Sequence, residues 1–356
     1  MWRAAIQRLP PGSFAFVMAT GIISTGFAAI GQSILSLLLL GIAIGGLLVL
    51  AALMLARFIV FRRDVMLDAR DPKRAFGFFT IVAAIDVVGI RLYSPEAPTA
   101  TIVLGILSVP IWLLLTYGVP ANLMLRPRTG PVAADIDGSW FLWVVGTQSL
   151  ATASAALGAH TRSPELAALA VALWGIGVML YLMLATLVTL RLLTVPSAPG
   201  NFNPSYWIYM GATAITVLAG SRILRMPQDL PVMHVTSPVV SGLTYVLWAF
   251  GVWWIPLLVI FGVWRHGVHR EPVRYSSGLW SIVFPLGMYS VASMHFGAVA
   301  QLPLLVSIGE VGIWVAGLAW LVVCAGMVWA GGRFVRGRRP MSAGLAADAA
   351  AAGSLR

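Results

Sequence analysis

The sequence predicts an all-α polytopic membrane protein: ten transmembrane helices in five helical hairpins, with a quasi-five-fold repeat around a central pore. Three observations carry this. First, the 356 residues are 59% hydrophobic and only 10% charged, with a mean hydropathy of +0.90, a poverty of charge that soluble domains of this length do not show. Second, apolar stretches of spanning length follow one another from end to end, separated by linkers that alternate between very short and charged. Third, the basic residues fall almost entirely into every second linker.

Met1 to Pro11 is a short basic lead with Arg3 and Arg8. Gly12 to Gly31 is the first span; its length, and the second span that follows at once from Ser33 to Phe61, argue against a signal peptide. Arg62 to Arg74 is a charged loop, followed by spans from Ala75 to Tyr93 and from Thr99 to Leu125. Arg126 to Gly138 is polar. Spans five and six run from Ser139 to Ala159 and from Glu165 to Leu190. A Pro/Gly/Asn loop, Arg191 to Pro204, leads to spans from Ser205 to Leu224 and from Pro238 to Trp264. The basic loop Arg265 to Arg274 precedes span nine, Leu279 to Ala300, and span ten runs from Leu304 to Gly332. Three parts result: an N-terminus (1–11), a membrane domain (12–332) and a basic, then Ala/Gly-rich tail (333–356), expected to be disordered.

Of the 23 lysines and arginines, four (Arg91, Arg162, Arg222 and Arg225) lie on the side opposite the N-terminus. This bias puts both termini in the cytoplasm. The net charge of +11 therefore reflects topology and gives no argument for nucleic acid. The single cysteine, Cys324, excludes an intrachain disulfide and a cysteine-based metal site within one chain. No His-Glu-x-x-His, phosphate-binding glycine loop or cysteine cluster is present, so no enzyme, cofactor or metal is expected. The only lysine, Lys73, is in a loop, which excludes a Schiff base within a span. His160, His234, His266 and His269 lie in or beside loops, which argues against bis-histidine haem ligation.

The odd-numbered spans open alike, with aromatics at Phe14, Phe76, Trp140, Tyr206 and Trp280, at intervals of 62 to 74 residues. A small or hydroxylated midsection follows: Thr20 and Gly21, Gly146 and Thr147, Gly211 and Thr213, and Gly287. The even spans are bulkier. Two readings fit: close helix packing, or five inner helices around a pore that these residues line. Span nine adds Phe284 and Pro285 just ahead of Gly287. Proline within a span removes an N–H and crowds the preceding turn. Phe284 is then either a packing residue beside an ordinary kink or a ring that narrows a passage.

The runs Pro11 to Gly21 (PGSFAFVMATG) and Phe284 to Ser290 (FPLGMYS) resemble the tellurite-resistance/C4-dicarboxylate transporter family, which includes TehA-like proteins, malic-acid permeases and slow-type anion channels. The resemblance runs from about Leu9 to Gly332. It implies a homotrimer in the plasma membrane, each subunit with its own pore lined by the odd helices. It also implies that the phenylalanine before the proline of span nine, here Phe284, closes that pore. Small anions are the implied substrates: malate, succinate, chloride, nitrate, sulfite or tellurite.

Ionisable groups inside spans are functional candidates. Asp86, mid-span three, is a possible proton site or a carboxyl satisfied by neighbouring hydroxyls. Arg91 is five residues on, about 140° around the helix, and does not pair with it naturally. Glu310, on an even span, reads as structural, and His295 as an interfacial hydrogen-bonding group. Arg91 and Arg222 are expected at an outer vestibule that gathers anions; the competing reading is that they offset helix dipoles and reach the interface. Three classes remain open: an anion channel, an anion/proton carrier, and a membrane enzyme or receptor, the last disfavoured.

Overall fold

The computed structural model describes residues 2–94, 96–125, 135–195 and 202–335. The sequence expectations for Arg126, Arg128 and the tail beyond residue 335 lie outside these residues. Every described element is helical, without strands. After a short α1 (Trp2–Gln7), the first predicted span is a 3-10 turn, Pro11–Phe14, continued by α2 (Ala15–Ala29). Then come α3 (Ser33–Val60), the short α4 (Arg62–Asp68), a 3-10 turn Ala75–Phe78 leading into α5 (Phe79–Arg91), and α6 (Thr99–Leu125). The turn Gly138–Phe141 leads into α7 (Leu142–Thr161), followed by α8 (Pro164–Thr194). Pro204–Trp207 leads into α9 (Ile208–Leu224), followed by α10 (Pro231–Val263) and a π-helical turn, Trp264–Val268. Ser277–Leu279 leads into α11 (Trp280–Val299), and α12 (Pro303–Val335) ends the described chain.

Among the described residues, nine helices are long and apolar enough to cross a membrane. The predicted span outside this set is the third, whose pieces have 4 and 13 residues. It is also the one with both Asp86 and Arg91. Helices α1 and α4 form in stretches expected to be a plain lead and loop. The eighth helix starts at Pro231, seven residues before the predicted Pro238. Proline at the first helical position needs no N–H partner, and Pro238 and Pro256 are carried inside the helix.

The helices sort into two layers by burial. Of the most apolar stretch of Gly138–Thr161, 89% of the residues are buried, against 22% for Pro231–Val268. Helices α2, α5, α7, α9 and α11 form the inner layer and contact one another in a closed cycle: α2 on α5, α5 on α7, α7 on α9, α9 on α11, and α11 back on α2. The 3-10 turns that open them close a second cycle in the same order, so all five helices start at one end of the molecule. The aromatic of each turn or first helical residue, Phe14, Phe76, Trp140, Tyr206 and Trp280, is buried there. Asp137 Oδ1 accepts from the Ser139 amide and Asn203 Oδ1 from the Ser205 amide, satisfying turn donors that lack a helical partner. Helices α3, α6, α8, α10 and α12 pack outside, each against the inner helix that precedes it. Their outward faces are leucine, valine and isoleucine, among them Leu48, Leu114, Val246 and Leu321.

Four outer helices also reach to the inner helix that comes next around the cycle, through a tryptophan. Trp112 of α6 donates to Thr147 Oγ1 (3.0 Å), and Trp174 of α8 to the Thr216 carbonyl of α9 (3.0 Å). Trp248 of α10 donates to Ser293 Oγ of α11 (2.8 Å), and Trp320 of α12 to Thr20 Oγ1 of α2 (2.9 Å). The last bond ties the two ends of the chain's membrane region together. In an apolar medium such bonds contribute about 0.6–2 kcal/mol each.

The end with the opening turns is the basic one. There Asp68 is buried between Arg57 Nη2 and Arg74 Nη1, each at 2.7 Å, and Arg57 Nε donates to the Gln7 carbonyl. At the opposite end the α2–α3, α7–α8 and α11–α12 links are tight and each holds one residue with left-handed backbone: Gly31, Arg162 and Gln301. Removing the buried Asp68 carboxylate strands a buried guanidinium, a change that costs about 3–5 kcal/mol. Asp68→Ala is therefore expected to melt well below wild type in detergent, while Asp64→Ala, whose carboxylate meets Gln7 at the surface, melts close to it. Equal melting of the two variants would contradict the role given to Asp68.

Candidate functional site: a cavity inside the helix ring

One cavity of about 20 Å³ is touched by all five inner helices. Its wall is Ile22 and Thr25 of α2, Val87 and Ile90 of α5, Ser149 and Thr152 of α7, Ile215, Leu218 and Arg222 of α9, and Met288 of α11. In four of the helices the wall includes a pair three residues apart, the spacing that repeats one helix face. The cavity lies near mid-length of α2, α7 and α11 and extends toward the end remote from the opening turns in α5 and α9. A volume near 20 Å³ suits one water-sized occupant.

Phe284 lies one turn before Met288 on the same side of α11, about 6 Å nearer the opening turns. It is 1% exposed. Pro285 follows within α11 without ending the helix.

The four glycines expected along the lining sit at seams between neighbouring inner helices. A Cβ on Gly21 of α2 meets Val87 of α5 at 2.8 Å, and one on Gly146 of α7 meets Phe79 of α5 at 2.8 Å. On Gly211 of α9 it meets the Pro285 ring of α11 at 2.8 Å, and on Gly287 of α11 it meets Ile22 and Ile23 of α2 at 3.0 Å. The three threonines of the expected lining turn to the outer layer or to their own helix. Thr20 and Thr147 accept from Trp320 and Trp112 and donate to Phe16 and Trp143 carbonyls. Thr213 donates to the Met210 carbonyl, and a Cβ on Gly251 of α10 meets its hydroxyl.

Asp86 is buried and accepts from Ser108 Oγ of α6 at 2.7 Å and Ser149 Oγ of α7 at 2.6 Å. No ion pair to Asp86 occurs among the described residues. Ser149 is also in the cavity wall, so the carboxylate stands one hydroxyl away from the cavity. Arg91 is held: Nε donates to Ser24 Oγ (3.1 Å) and Nη2 to Ser36 Oγ (2.7 Å), while the two serines donate to each other's carbonyls. It clamps α5 to α2 and α3. Arg222 is different, since it reaches the cavity wall and its buried Nε has no partner. His295 of α11, within electrostatic range of Arg222 and Arg225, has a buried Nδ1 without a partner. Glu310 is exposed on the outward face of α12.

The wall residues Ile22, Thr25, Val87, Ile90, Ser149, Thr152, Ile215, Leu218 and Met288 were not among those the small-residue pattern singled out. One signal for them was in the chain: Ser149 and Thr152 put two hydroxyls on one face of an apolar helix.

Residues 8–328 match the family model described as voltage-dependent anion channel. Uncharacterized membrane proteins from two strains of Mycobacterium tuberculosis are each 50% identical over 149 residues, covering 42% of this chain and 75% of the relative. An uncharacterized transporter of Methanocaldococcus jannaschii is 25% identical over 221 residues, covering 57% of this chain and 63% of the relative.

The seam between α9 and α11 gives a direct test of the packing. The Pro285 ring is rigid and flanks Gly211, so an added methyl cannot be relieved by rotation. Gly211→Ala is expected to lower stability by about 1–3 kcal/mol, the usual cost of overpacking, read as a lower melting temperature in detergent. Gly41→Ala, where a Cβ meets nothing, is the control and is expected to melt with wild type. A Gly211→Ala protein as stable as wild type would contradict this seam.

Proposed function

Since the chain belongs to the voltage-dependent anion channel family, which its sequence resembles as the tellurite-resistance/C4-dicarboxylate transporters, we propose that it carries small anions across the plasma membrane through a passage along the axis of the helix ring. Both termini face the cytoplasm in this reading, which follows from the arginine bias. The fold is then ten spans in five hairpins with a quasi-five-fold repeat, the short α5 counting as a span because it completes the ring. A homotrimer, one passage per subunit, is carried over from the family resemblance.

The observation that supports this best is a cavity walled by all five inner helices, with Phe284 one turn to its cytoplasmic side. Phe284 is the gate in this reading, and Pro285 seats it. The seam glycines Gly21, Gly146, Gly211 and Gly287 let the helices close on the axis, and Thr20, Thr147 and Thr213 anchor the passage wall to the outer layer. Arg91 braces the outer mouth, and Arg222 faces into it. The wall is mostly aliphatic, so an ion there sheds water against few dipoles. Dehydration then dominates selectivity, favouring weakly hydrated anions such as nitrate over chloride. A cavity near 20 Å³ is too small for malate or succinate in this closed state; four-carbon dicarboxylates need the gate displaced.

The second reading, a proton-coupled carrier, is favoured by Asp86: a buried carboxylate with two serine donors and no ion pair, joined to the cavity by Ser149.

Two liposome experiments test these readings. Phe284→Ala is expected to raise nitrate and chloride flux about tenfold or more, a barrier lowered by about 1.4 kcal/mol or more, with nitrate ahead of chloride. Unchanged flux from a correctly assembled variant would mean that Phe284 only packs. Asp86→Asn is expected to abolish uphill accumulation on a pH gradient while sparing exchange; accumulation that survives the substitution would remove Asp86 from the mechanism.

A further inference from the structure

We infer that the cavity is a binding site for one small monovalent anion, held by Arg222 Nε and bounded toward the outside by His295. This rests on the anion-passage reading and adds to it a discrete resting position. The other buried arginine side chains each have at least one partner; Arg57 Nη1 and Arg265 Nε are themselves unpartnered, but neither residue lines the cavity. Arg57 has Asp68 and the Gln7 carbonyl, Arg91 has Ser24 and Ser36, Arg191 has the Tyr206 hydroxyl, and Arg265 has the Phe202 carbonyl. Arg222 Nε is buried with none, in a side chain that reaches the cavity wall. A buried cationic donor left unpaired is costly, and the cost is relieved by a counterion.

The rest of the wall offers no competing donor. Thr25 donates to the Gly21 carbonyl, Ser149 to Asp86 and Thr152 to the Gln148 carbonyl. The remaining six wall residues are aliphatic or methionine. Asp86 does not serve as the counterion by contact, because it forms no ion pair and its two oxygens take Ser108 and Ser149. His295 lies seven residues past Met288, which returns it to the same face of α11, two turns outward. Its buried Nδ1 is also without a partner. His295 does not line the cavity but stands within electrostatic range of Arg222, and in the tautomer with the proton on Nδ1 it carries a donor of its own. The wall chemistry selects a single charge and weak hydration within a small volume, so bromide is favoured over chloride, and chloride over the strongly hydrated fluoride.

The probe is bromide on the full-length protein in detergent, with isethionate holding ionic strength constant. Bromide is expected to raise the wild-type melting temperature saturably, as a ligand of the folded state does, and to show an anomalous peak beside Arg222 in bromide-grown crystals. Arg222→Gln should weaken the apparent bromide affinity at least tenfold and remove the peak. It should also melt above wild type in isethionate alone, because the unpaired charge is gone; His295→Gln should weaken bromide binding more mildly. A saturable shift unchanged in Arg222→Gln, or no bromide peak at Arg222 in wild type, would overturn the site. Flux through Phe284→Ala with no bromide site would sink this inference and leave the passage standing. Bromide bound at Arg222 with no flux in any variant would support the site and sink the passage.

Discussion

The constraint on which this structure depends is the cost of putting polar groups in hydrocarbon. An unpartnered amide or hydroxyl there costs several kcal/mol, and a bare charge far more. The chain meets it with two concentric layers. The inner helices carry most of the buried polar groups: Ser24, Thr80, Asp86, Ser149, Thr152, Thr216, Ser290 and Ser293 among them. The outer helices face lipid with aliphatic side chains and bury a smaller set of polar groups, among them Ser36, Thr101, Ser108 and Thr244, which sit against the inner layer. The short α5 fits the same logic. A helix that never meets lipid does not need full spanning length, and it can hold a carboxylate and an arginine at once.

Two devices hold the layers in register. Tryptophans 112, 174, 248 and 320 each join an outer helix to the following inner one, so that a disturbance in one hairpin is felt by the next. Glycines let inner helices meet without side chains between them, as where Gly211 receives the Pro285 ring. The helix directions add an electrostatic asymmetry. All five inner helices start at the basic end, so five positive dipole ends gather there. Their negative ends lie at the opposite end of the molecule, where Arg91, Arg222 and Arg225 stand in the last turn or just beyond.

The layers were legible in the sequence, because lipid enforces length and apolarity on each span. Thr99–Leu125 was read with both ends as observed, and the five recurring aromatics marked the opening turns. Family membership was also legible, from two short motifs around Gly21 and Phe284. The cavity wall was not. Small residues serve helix seams as well as passages, and Gly21 and Gly146 sit where inner helices meet. Wall positions such as Ile22 and Leu218 look like any other aliphatic residue in a span. The two outer arginines, alike in sequence, differ only in what folding brings to them: Arg91 finds two serines, whereas Arg222 Nε finds nothing.

The central claim is that one face of each inner helix borders a common aqueous passage once Phe284 is displaced. It is tested most directly by cysteine accessibility in a Cys324→Ser, Phe284→Ala background reconstituted into liposomes. Cysteines placed singly at Ser149, Ile215 and Met288 are expected to react with a small charged thiol reagent and to lose anion flux on reaction. Cysteines at Thr147 and Thr213, which face the outer layer or their own helix, are expected to stay unreacted under the same conditions. Equal reactivity of the two sets, or reaction without loss of flux, would contradict a passage along the axis of the ring.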